Sequence, residues 1–302
     1  KIISRRSLEK TMKIIKYFFE FIIVISLFCT FKILGIKNAS TVGSILGKSV
    51  GPIFRSKKII IQNIKNIFSK IDKNKQEQII KKMWSNIGRT FAEYIFLKDF
   101  KFKKTNFSHI KINGIEYLDE IKKSNKPAIF FSGHLANFEL MAMELDKHGI
   151  KVAAIYRPLN NYFLNPLMEY LRMKYICPNQ IPKGKTGLRE IINKINNGYS
   201  IALMVDQRVS EGLEVPFFNQ NAKTTTIPSQ LALRYDCKLV PIFLERKNGV
   251  NFEMTIHEPY KVKKTDNSVQ DTKDITIKIN QILEKMIIKN PNQWLWPHNR
   301  WK

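Results

Sequence analysis

Cysteine is scarce in this chain of 302 residues, which has only Cys29, Cys177 and Cys237, far apart in the sequence. An odd number of widely spaced cysteines argues against a disulfide framework. No Cys-x-x-Cys pair is present, so the spacing of structural zinc sites is missing and no metal is expected. These absences favour a reduced chain in the cytosol or on the cytosolic face of a membrane.

Acidic side chains are also few: 25 Asp and Glu stand against 51 Lys and Arg, for a formal net charge of +26. A field of that strength favours an anionic partner, and nucleic acid, anionic lipid and an acidic protein all qualify. The sequence has no helix-turn-helix, zinc-finger or aromatic RNA-binding signature, so no nucleic acid is expected. The stretch Gly184-Lys185-Thr186 looks like the end of a P-loop, but Asn179 stands where the leading glycine belongs.

One long hydrophobic run covers residues 17–36. About 20 mostly apolar residues suffice to cross a bilayer, and Glu20 and Lys32 near the ends of the run can reach the headgroups. No small-residue cleavage site follows, which argues against a signal peptide. The run therefore predicts a membrane-anchoring helix in preference to a buried core helix. Basic residues flank it on both sides, so the positive-inside rule leaves single-pass and monotopic anchoring open.

After the hydrophobic run the sequence changes character twice. Residues 56–97 have a helical apolar pattern that predicts two helices, broken near 72–74. Beyond about residue 110, short apolar runs predict strands at 127–132, 151–156, 201–206, 239–244 and 252–257. Amphipathic stretches predict helices at 135–148, 162–173, 188–196, 227–235 and 272–289. This alternation predicts an α/β fold, with a central mixed sheet flanked by helices. The expected division is a membrane-anchor region (1–55) and a second domain (56–302), of which 56–110 is a helical lead-in and 111–302 the α/β core.

The stretch FFSGHLANFEL, residues 130–140, places a histidine just after a predicted strand. Ligands of open α/β sheets bind at the carboxyl ends of strands, and Gly133 permits a tight turn there before His134 opens a helix. Glu139 follows five residues later, a step of about 140° around a continuous helix. The two side chains can meet only if His134 lies in the turn before the helix. A carboxylate bonded to one imidazole nitrogen would leave the other free to accept a proton from a hydroxyl.

Several further motifs occur in a fixed order along the chain. They read MWSNIGRTFAEY (83–94), HLANFE (134–139), YRPLNN (156–161), DQRVSEGLEVPFF (206–218), AKTTT (222–226), QLALRYDCKLVPI (230–242) and WLWPHNRWK (294–302). Together they resemble the late acyltransferases of lipid A biosynthesis, the lauroyl and myristoyl transferases of Gram-negative inner membranes. HLANFE is similar to the HX4(D/E) motif of the wider glycerolipid acyltransferase superfamily. The resemblance covers most of the chain from residue 83 onwards.

The resemblance implies roles for five residues. His134 would be the general base and Glu139 its orienting partner. Arg157, Arg172 and Asp206 match positions of the family motifs and would bind substrate. One departure precedes Arg172, because Leu171 stands where many members of the family have glycine. Ser132 is not expected to be acylated, and the remaining histidines are interpreted as surface or core residues.

The implied reaction needs no cofactor. It moves a fatty acyl chain from an acyl carrier protein thioester to a hydroxyl of a phosphorylated lipid A precursor, on the cytoplasmic face of the bacterial inner membrane. The acidic carrier, the phosphates and an anionic lipid surface would each suit the basic chain. Two alternatives remain open: an acyltransferase for a lysophospholipid or other glycolipid, and a basic membrane-binding protein without catalysis.

Overall fold

A computed structural model describes residues 5–102 and 109–302 of the chain. Lys1, which begins the basic flank of the predicted anchor, lies outside the described residues, as do residues 103–108 of the predicted helical lead-in.

The helices account for the N-terminal third of the chain and alternate with strands thereafter. The α-helices are α1 (Arg5–Phe54), α2 (Lys57–Ile67), α3 (Lys73–Glu93), α4 (Leu97–Phe102), α5 (Ile115–Ser124), α6 (Glu139–Lys147), α7 (Asn165–Leu171), α8 (Lys185–Asn196), α9 (Ile227–Tyr235) and α10 (Ser268–Lys289). Short 3-10 turns lie at Tyr94–Phe96 and Pro291–Gln293, and a π-helical turn at Arg172–Ile176 extends α7.

The strands form one large sheet and one hairpin. They are β1 (Ile110–Asn113), β2 (Ala128–Ser132), β3 (Val152–Tyr156), β4 (Asn179–Pro182), β5 (Ser200–Met204), β6 (Leu213–Phe217), β7 (Gln220–Thr224), β8 (Lys238–Asn248) and β9 (Asn251–Ile256). The seven-stranded sheet has the order β1-β9-β8-β2-β5-β3-β4, and β6 and β7 pair with each other as an antiparallel hairpin. Among the strands of residues 5–102 and 109–302, only β8 and β9 pair in antiparallel fashion within the large sheet, so it is mixed, as the sequence predicts.

Residues on the two faces of β2 belong to two different hydrophobic clusters. Phe130 packs with α5 and α6 residues such as Leu118 and Leu140, whereas Ile129 and Phe131 pack with residues of α2, α3 and α8 to α10. Because successive side chains of a strand point to opposite faces, these clusters are the two layers of helices around the sheet. The five predicted strands and the predicted α/β fold are therefore confirmed.

Some local expectations need correction. The helix predicted to open at His134 begins at Glu139, and residues 133–138 form a turn instead. The residue of that turn with left-handed backbone is Ala136 (φ 50°), not Gly133. The short strands β1 and β4 and the β6–β7 hairpin were not predicted, because their residues lack a continuous apolar run.

Helix α1 consists of two arms that meet at Gly35, whose backbone (φ 72°, ψ 162°) is not helical. The second arm packs closely on α3 through glycines. A Cβ on Gly43 would lie 2.4 Å from the carbonyl oxygen of Gly88, and one on Gly47 would lie 2.2 Å from that of Trp84. Only residues without a side chain allow the two helix backbones to approach so closely.

The first arm of α1 has a different surface. Its large apolar side chains are mostly exposed, among them Phe18, Phe19, Ile22 and Ile23. The helix is long and apolar enough to cross a membrane, and only 17% of its most apolar window is buried. A core helix of a soluble protein would bury this face, whereas residues 5–102 and 109–302 leave most of the apolar surface of the first arm uncovered.

Replacing Gly88 by alanine tests the close packing of α1 on α3. The new Cβ would lie 2.0 Å from the carbonyl oxygen of Gly43, so one helix must shift. We expect the free energy of unfolding to fall by about 1–3 kcal/mol, measured by urea unfolding of the full chain in detergent. Lys81→Ala, at an exposed position of the same helix, is the matched control. Equal stability of the two variants would contradict the close packing.

Candidate active site

The candidate site lies where neighbouring parallel strands end. His134 follows β2, Asp206 follows β5 and Arg157 follows β3, and these three strands are adjacent in the order β2-β5-β3. Because their carboxyl ends lie at the same edge of the sheet, residues 72 positions apart in the sequence come together there.

The imidazole of His134 is bound on one side by a carboxylate. Its Nδ1 lies 2.6 Å from Asp206 Oδ1, and its backbone N–H donates to Asp206 Oδ2 at 2.9 Å. An ionised carboxylate can only accept, so the proton of the neutral ring lies on Nδ1. Nε2 is then the basic nitrogen, with the amide nitrogen of Gln207 3.4 Å away. This is the arrangement of a general base whose tautomer is fixed by a carboxylate.

Asp206 is 2% exposed and receives a third hydrogen bond, from the indole Nε1 of Trp294 at 2.7 Å. Burial alone would raise the pKa of this carboxyl, but His134 and the three donors outweigh it and lower the pKa to about 2. The carboxylate lies behind the imidazole and does not line the cavity described below. The sequence predicts that Asp206 binds substrate, and in this structure its carboxylate binds the imidazole of His134 and the indole of Trp294.

Glu139 does not pair with His134, which corrects the expected dyad. Its carboxylate binds the guanidinium of Arg172, with Nη2 2.6 Å and Nε 3.1 Å from Oε1. Glu139 is the first residue of α6 and His134 lies in the preceding turn, as the predicted pairing requires. The imidazole nitrogen that Glu139 was expected to bind is occupied by Asp206 instead, a residue too distant in sequence for local spacing to reveal.

Arg172 is held at the wall of the site by more than one group. Its guanidinium lies over the rings of Tyr94 and Tyr156, 5.8 and 5.3 Å from their centroids. Burial opposes the charged form, but Glu139 raises the pKa of the guanidinium, so Arg172 stays charged. Its third nitrogen, Nη1, is buried without a hydrogen-bond partner in the described part of the chain. Nη1 therefore has an unmet hydrogen bond in a residue that lines the cavity described below.

A buried polar network beneath the turn fixes residues 133–138. The carbonyl oxygen of Ala136 accepts hydrogen bonds from Asn86 and Thr90 of α3, at 3.0 and 3.2 Å. Asn137 donates to the buried carboxylate of Glu93, which also pairs with Arg246 of β8. These bonds hold Ala136 in a conformation that non-glycine residues rarely adopt, so the position of His134 depends on α3 and β8 as well as on β2.

The segment 294–302 supplies a part of the site that the sequence did not predict. Besides Trp294, it brings His298 to the same cavity, where Nε2 of His298 accepts the backbone N–H of Arg208 at 2.8 Å. Burial lowers the pKa of His298 to about 4, so this ring is neutral at ordinary pH. His298 was interpreted as a surface or core residue. Its place within the matched motif WLWPHNRWK was the signal available from sequence.

A cavity of about 890 Å³ opens in front of the imidazole. His134, Glu139, Arg172 and Arg157 all line it, so four of the five predicted site residues share one space. Phe138 belongs to the apolar wall of the cavity, and its ring contacts that of His134 edge-on. Small or flexible side chains of the same wall are Met141, Ala142, Ala154, Ala202 and Met204. A cavity with one basic nitrogen, a charged donor and an apolar wall can bring a hydroxyl and an acyl carbonyl together.

Within residues 5–102 and 109–302, no three His, Cys, Asp or Glu side chains are grouped as metal ligands would be.

The buried Asp206 carboxylate should make stability depend on acid pH. Its pKa is depressed from 3.8 in the unfolded chain to about 2, so its contribution is complete above pH 4 and disappears as pH falls towards 2. The contribution is about 2 kcal/mol. In urea titrations between pH 5 and 2, Asp206→Asn should lose stability less steeply than the wild type. The exposed Asp266→Asn is the matched control, and parallel curves for wild type and Asp206→Asn would contradict the assignment.

Comparison with known proteins identifies the family of this chain. The family model described as bacterial lipid A biosynthesis acyltransferase matches residues 6–302. A lipid A biosynthesis acyltransferase of Haemophilus influenzae is 28% identical over 80% of this chain and 76% of its own length. The lipid A biosynthesis lauroyltransferase of Escherichia coli is 22% identical, over 82% and 79% respectively. The palmitoleoyltransferase of the same organism is also 22% identical, over 86% and 83%. Because this family model matches nearly the whole chain, the protein belongs to the bacterial lipid A biosynthesis acyltransferase family.

Proposed function

We propose that this acyltransferase moves a fatty acyl chain from an acyl carrier protein thioester to a hydroxyl of a phosphorylated lipid A precursor, with His134 as general base. Membership of the family supports acyl transfer onto lipid A. The observation that carries the rest is the Asp206–His134 pair, which leaves Nε2 as a base beside the cavity.

The proposed reaction proceeds without a protein nucleophile, because a thioester is already activated. Nε2 of His134 takes the hydroxyl proton while the hydroxyl oxygen attacks the thioester carbonyl carbon. Asp206 stabilises the imidazolium that forms. The tetrahedral intermediate then collapses, the carbon–sulfur bond breaks, and the imidazolium returns its proton to the departing thiolate. The products are the new ester and the carrier's free thiol.

Glu139 and Arg172 act together in this proposal. Glu139 occupies two nitrogens of the guanidinium and so fixes its plane, while Nη1 remains unpartnered. That nitrogen can donate to the carbonyl oxygen as it becomes negative, a contribution typical of oxyanion sites. Glu139 is then a positioning residue, and the acid–base work falls to His134 and Asp206.

Membrane association belongs to the same proposal. The exposed apolar first arm of α1 would enter the bilayer, and the basic surface would rest on anionic headgroups. The catalytic domain would lie on the cytoplasmic face of the inner membrane, where an acidic carrier protein can reach it. A lipid acceptor could then enter the cavity without leaving the membrane surface.

Replacing His134 by alanine tests the general base. We expect transfer from labelled acyl carrier protein thioester to a lipid A precursor to slow by roughly 10²–10⁴-fold. His148→Ala, at the end of α6 and outside the cavity, is the matched control and should keep normal activity. Undiminished transfer by His134→Ala would exclude the proposed mechanism. Intact lipid A with altered phospholipids, in cells lacking the protein, would point to a different acceptor.

Double-mutant cycles test which side chain each of the two carboxylates, Glu139 and Asp206, acts through. Glu139→Gln and Arg172→Gln should each lower kcat, and the double variant should be no worse than the poorer single, because both disrupt one ion pair. Asp206→Asn should lower kcat by about 10²–10⁴-fold and combine with His134→Ala without further loss. The contrary result is that the effects of Glu139→Gln and His134→Ala on kcat are non-additive, while those of Glu139→Gln and Arg172→Gln are additive. That result would show that Glu139 acts through His134 and not through Arg172.

A further inference from the structure

Cationic residues continue the row of strand ends on the side away from His134. In the parallel pair of β3 and β4, Tyr156 is opposite Pro182, and the backbone N–H of Lys183 donates to the carbonyl oxygen of Tyr156. Arg157 and Lys183, the next residues of the two strands, are therefore neighbours. Both side chains line the cavity that contains His134.

The positive charge in this part of the cavity is not neutralised. Arg55, Arg157, Lys183 and Arg208 line the cavity and form no ion pair within the described residues. Glu139, the carboxylate in the lining, is already bound to Arg172. Desolvation and the charge of Arg157 lower the pKa of Lys183, and Nε of Arg208 is buried without a partner. Arg55, Arg157 and Lys183 are exposed, so an anion can reach them from solvent, and its binding would reduce their mutual repulsion.

The order of the strands in the sheet sets the distance between His134 and Lys183. The strands run β2-β5-β3-β4, so three inter-strand steps of about 4.8 Å separate the end of β2 from that of β4. His134 and Lys183 therefore stand at opposite ends of a row about 14 Å long. Arg208, after β5, lies between them. A ligand that contacts both His134 and Lys183 must therefore have its anionic group well separated from the atom that reacts.

The loop that carries Arg157 is fastened to the first arm of α1. The side-chain amide of Asn161, 7% exposed, donates to the carbonyl oxygen of Tyr17 at 2.9 Å and to Glu20 at 3.1 Å. The ring of Phe163 packs on Phe18 at 5.7 Å between centroids. These contacts place the cationic rim of the cavity beside the helix whose apolar surface is exposed.

We infer that Arg157 and Lys183 form a binding subsite for a phosphate monoester of the lipid acceptor, with Arg208 between this subsite and His134. A phosphate dianion matches two adjacent cations and can take hydrogen bonds from both. The inference rests on the proposed function and adds what that function leaves open, namely how the acceptor is oriented. The phosphate held at the β3–β4 edge would select, among the acceptor's hydroxyls, the one that reaches Nε2 of His134.

The acceptor is a better source of this phosphate than the carrier protein's prosthetic group. The rim loop is attached to the apolar arm through Asn161 and Phe163, so an anion at the membrane surface meets Arg157 first. A soluble carrier would not need its anion site tied to that helix. A phosphodiester in the prosthetic group would also present one negative charge to the cluster, whereas a monoester presents up to two.

Binding measurements on the full chain in lipid nanodiscs test the subsite. The probes are a phosphorylated lipid A precursor and the same lipid after removal of its phosphates. For Arg157→Gln/Lys183→Gln we expect the Kd of the phosphorylated lipid to rise at least about 10-fold, with little change for the dephosphorylated one. Arg157→Lys/Lys183→Arg should retain most of the binding. Lys81→Gln/Lys278→Gln removes the same charge outside the cavity and should bind like the wild type.

The outcomes separate the subsite from the reaction. Equal binding by wild type and the double variant, or an equal loss for both lipids, overturns the phosphate subsite. So does a rise in the KM of acyl carrier protein thioester without a change in acceptor binding, because the cations would then serve the donor. A wild-type chain that binds the phosphorylated lipid through Arg157 and Lys183 but transfers no acyl chain would refute the proposed reaction and leave the subsite standing.

Discussion

Three hydrogen bonds converge on the buried carboxylate of Asp206, and the geometry of the site depends on them. The backbone and ring of His134 supply two, which fix both the turn after β2 and the tautomer of the imidazole. The indole of Trp294 supplies the third. A carboxylate removed from water is stable as an anion only with such donors, so loss of any one weakens the others. One side chain thereby joins β2, β5 and the segment after α10.

The turn that carries His134 is constrained from below as well. Ala136 adopts a left-handed conformation at a cost of order 1 kcal/mol, and its carbonyl oxygen is held by two side chains of α3. The Glu93–Arg246 pair continues this network to β8, and Ser40 of α1 donates to the same carboxylate at 2.8 Å. Helix α3 therefore packs on the N-terminal helix through glycines and supports the site through polar groups. The N-terminal helix and the candidate site therefore share α3 as a common support.

The sequence predicted the parts of this arrangement that depend on local pattern. Apolar runs located β2, β3, β5, β8 and β9, and ordered motifs identified His134, Glu139, Arg157, Arg172 and Asp206 as residues of interest. Spacing could not say which carboxylate meets the imidazole. Glu139 is five residues from His134 and Asp206 is 72 residues away, and only the adjacency of β2 and β5 in the sheet favours the second. His298 lacked any local partner pattern, because its partner is a backbone N–H that follows β5.

The position of Trp294 in the chain has a consequence for how the protein matures during synthesis. The hydrophobic arm of α1 is translated first, whereas Trp294, His298 and the buried Arg300 follow every strand of the sheet. A nascent chain can thus pair β2 with β5 while Asp206 still lacks its third donor. The three hydrogen bonds on Asp206 are complete only once Trp294 has left the exit tunnel of the ribosome, so a chain cut short before residue 294 could form the sheet but would lack one donor to this buried carboxylate.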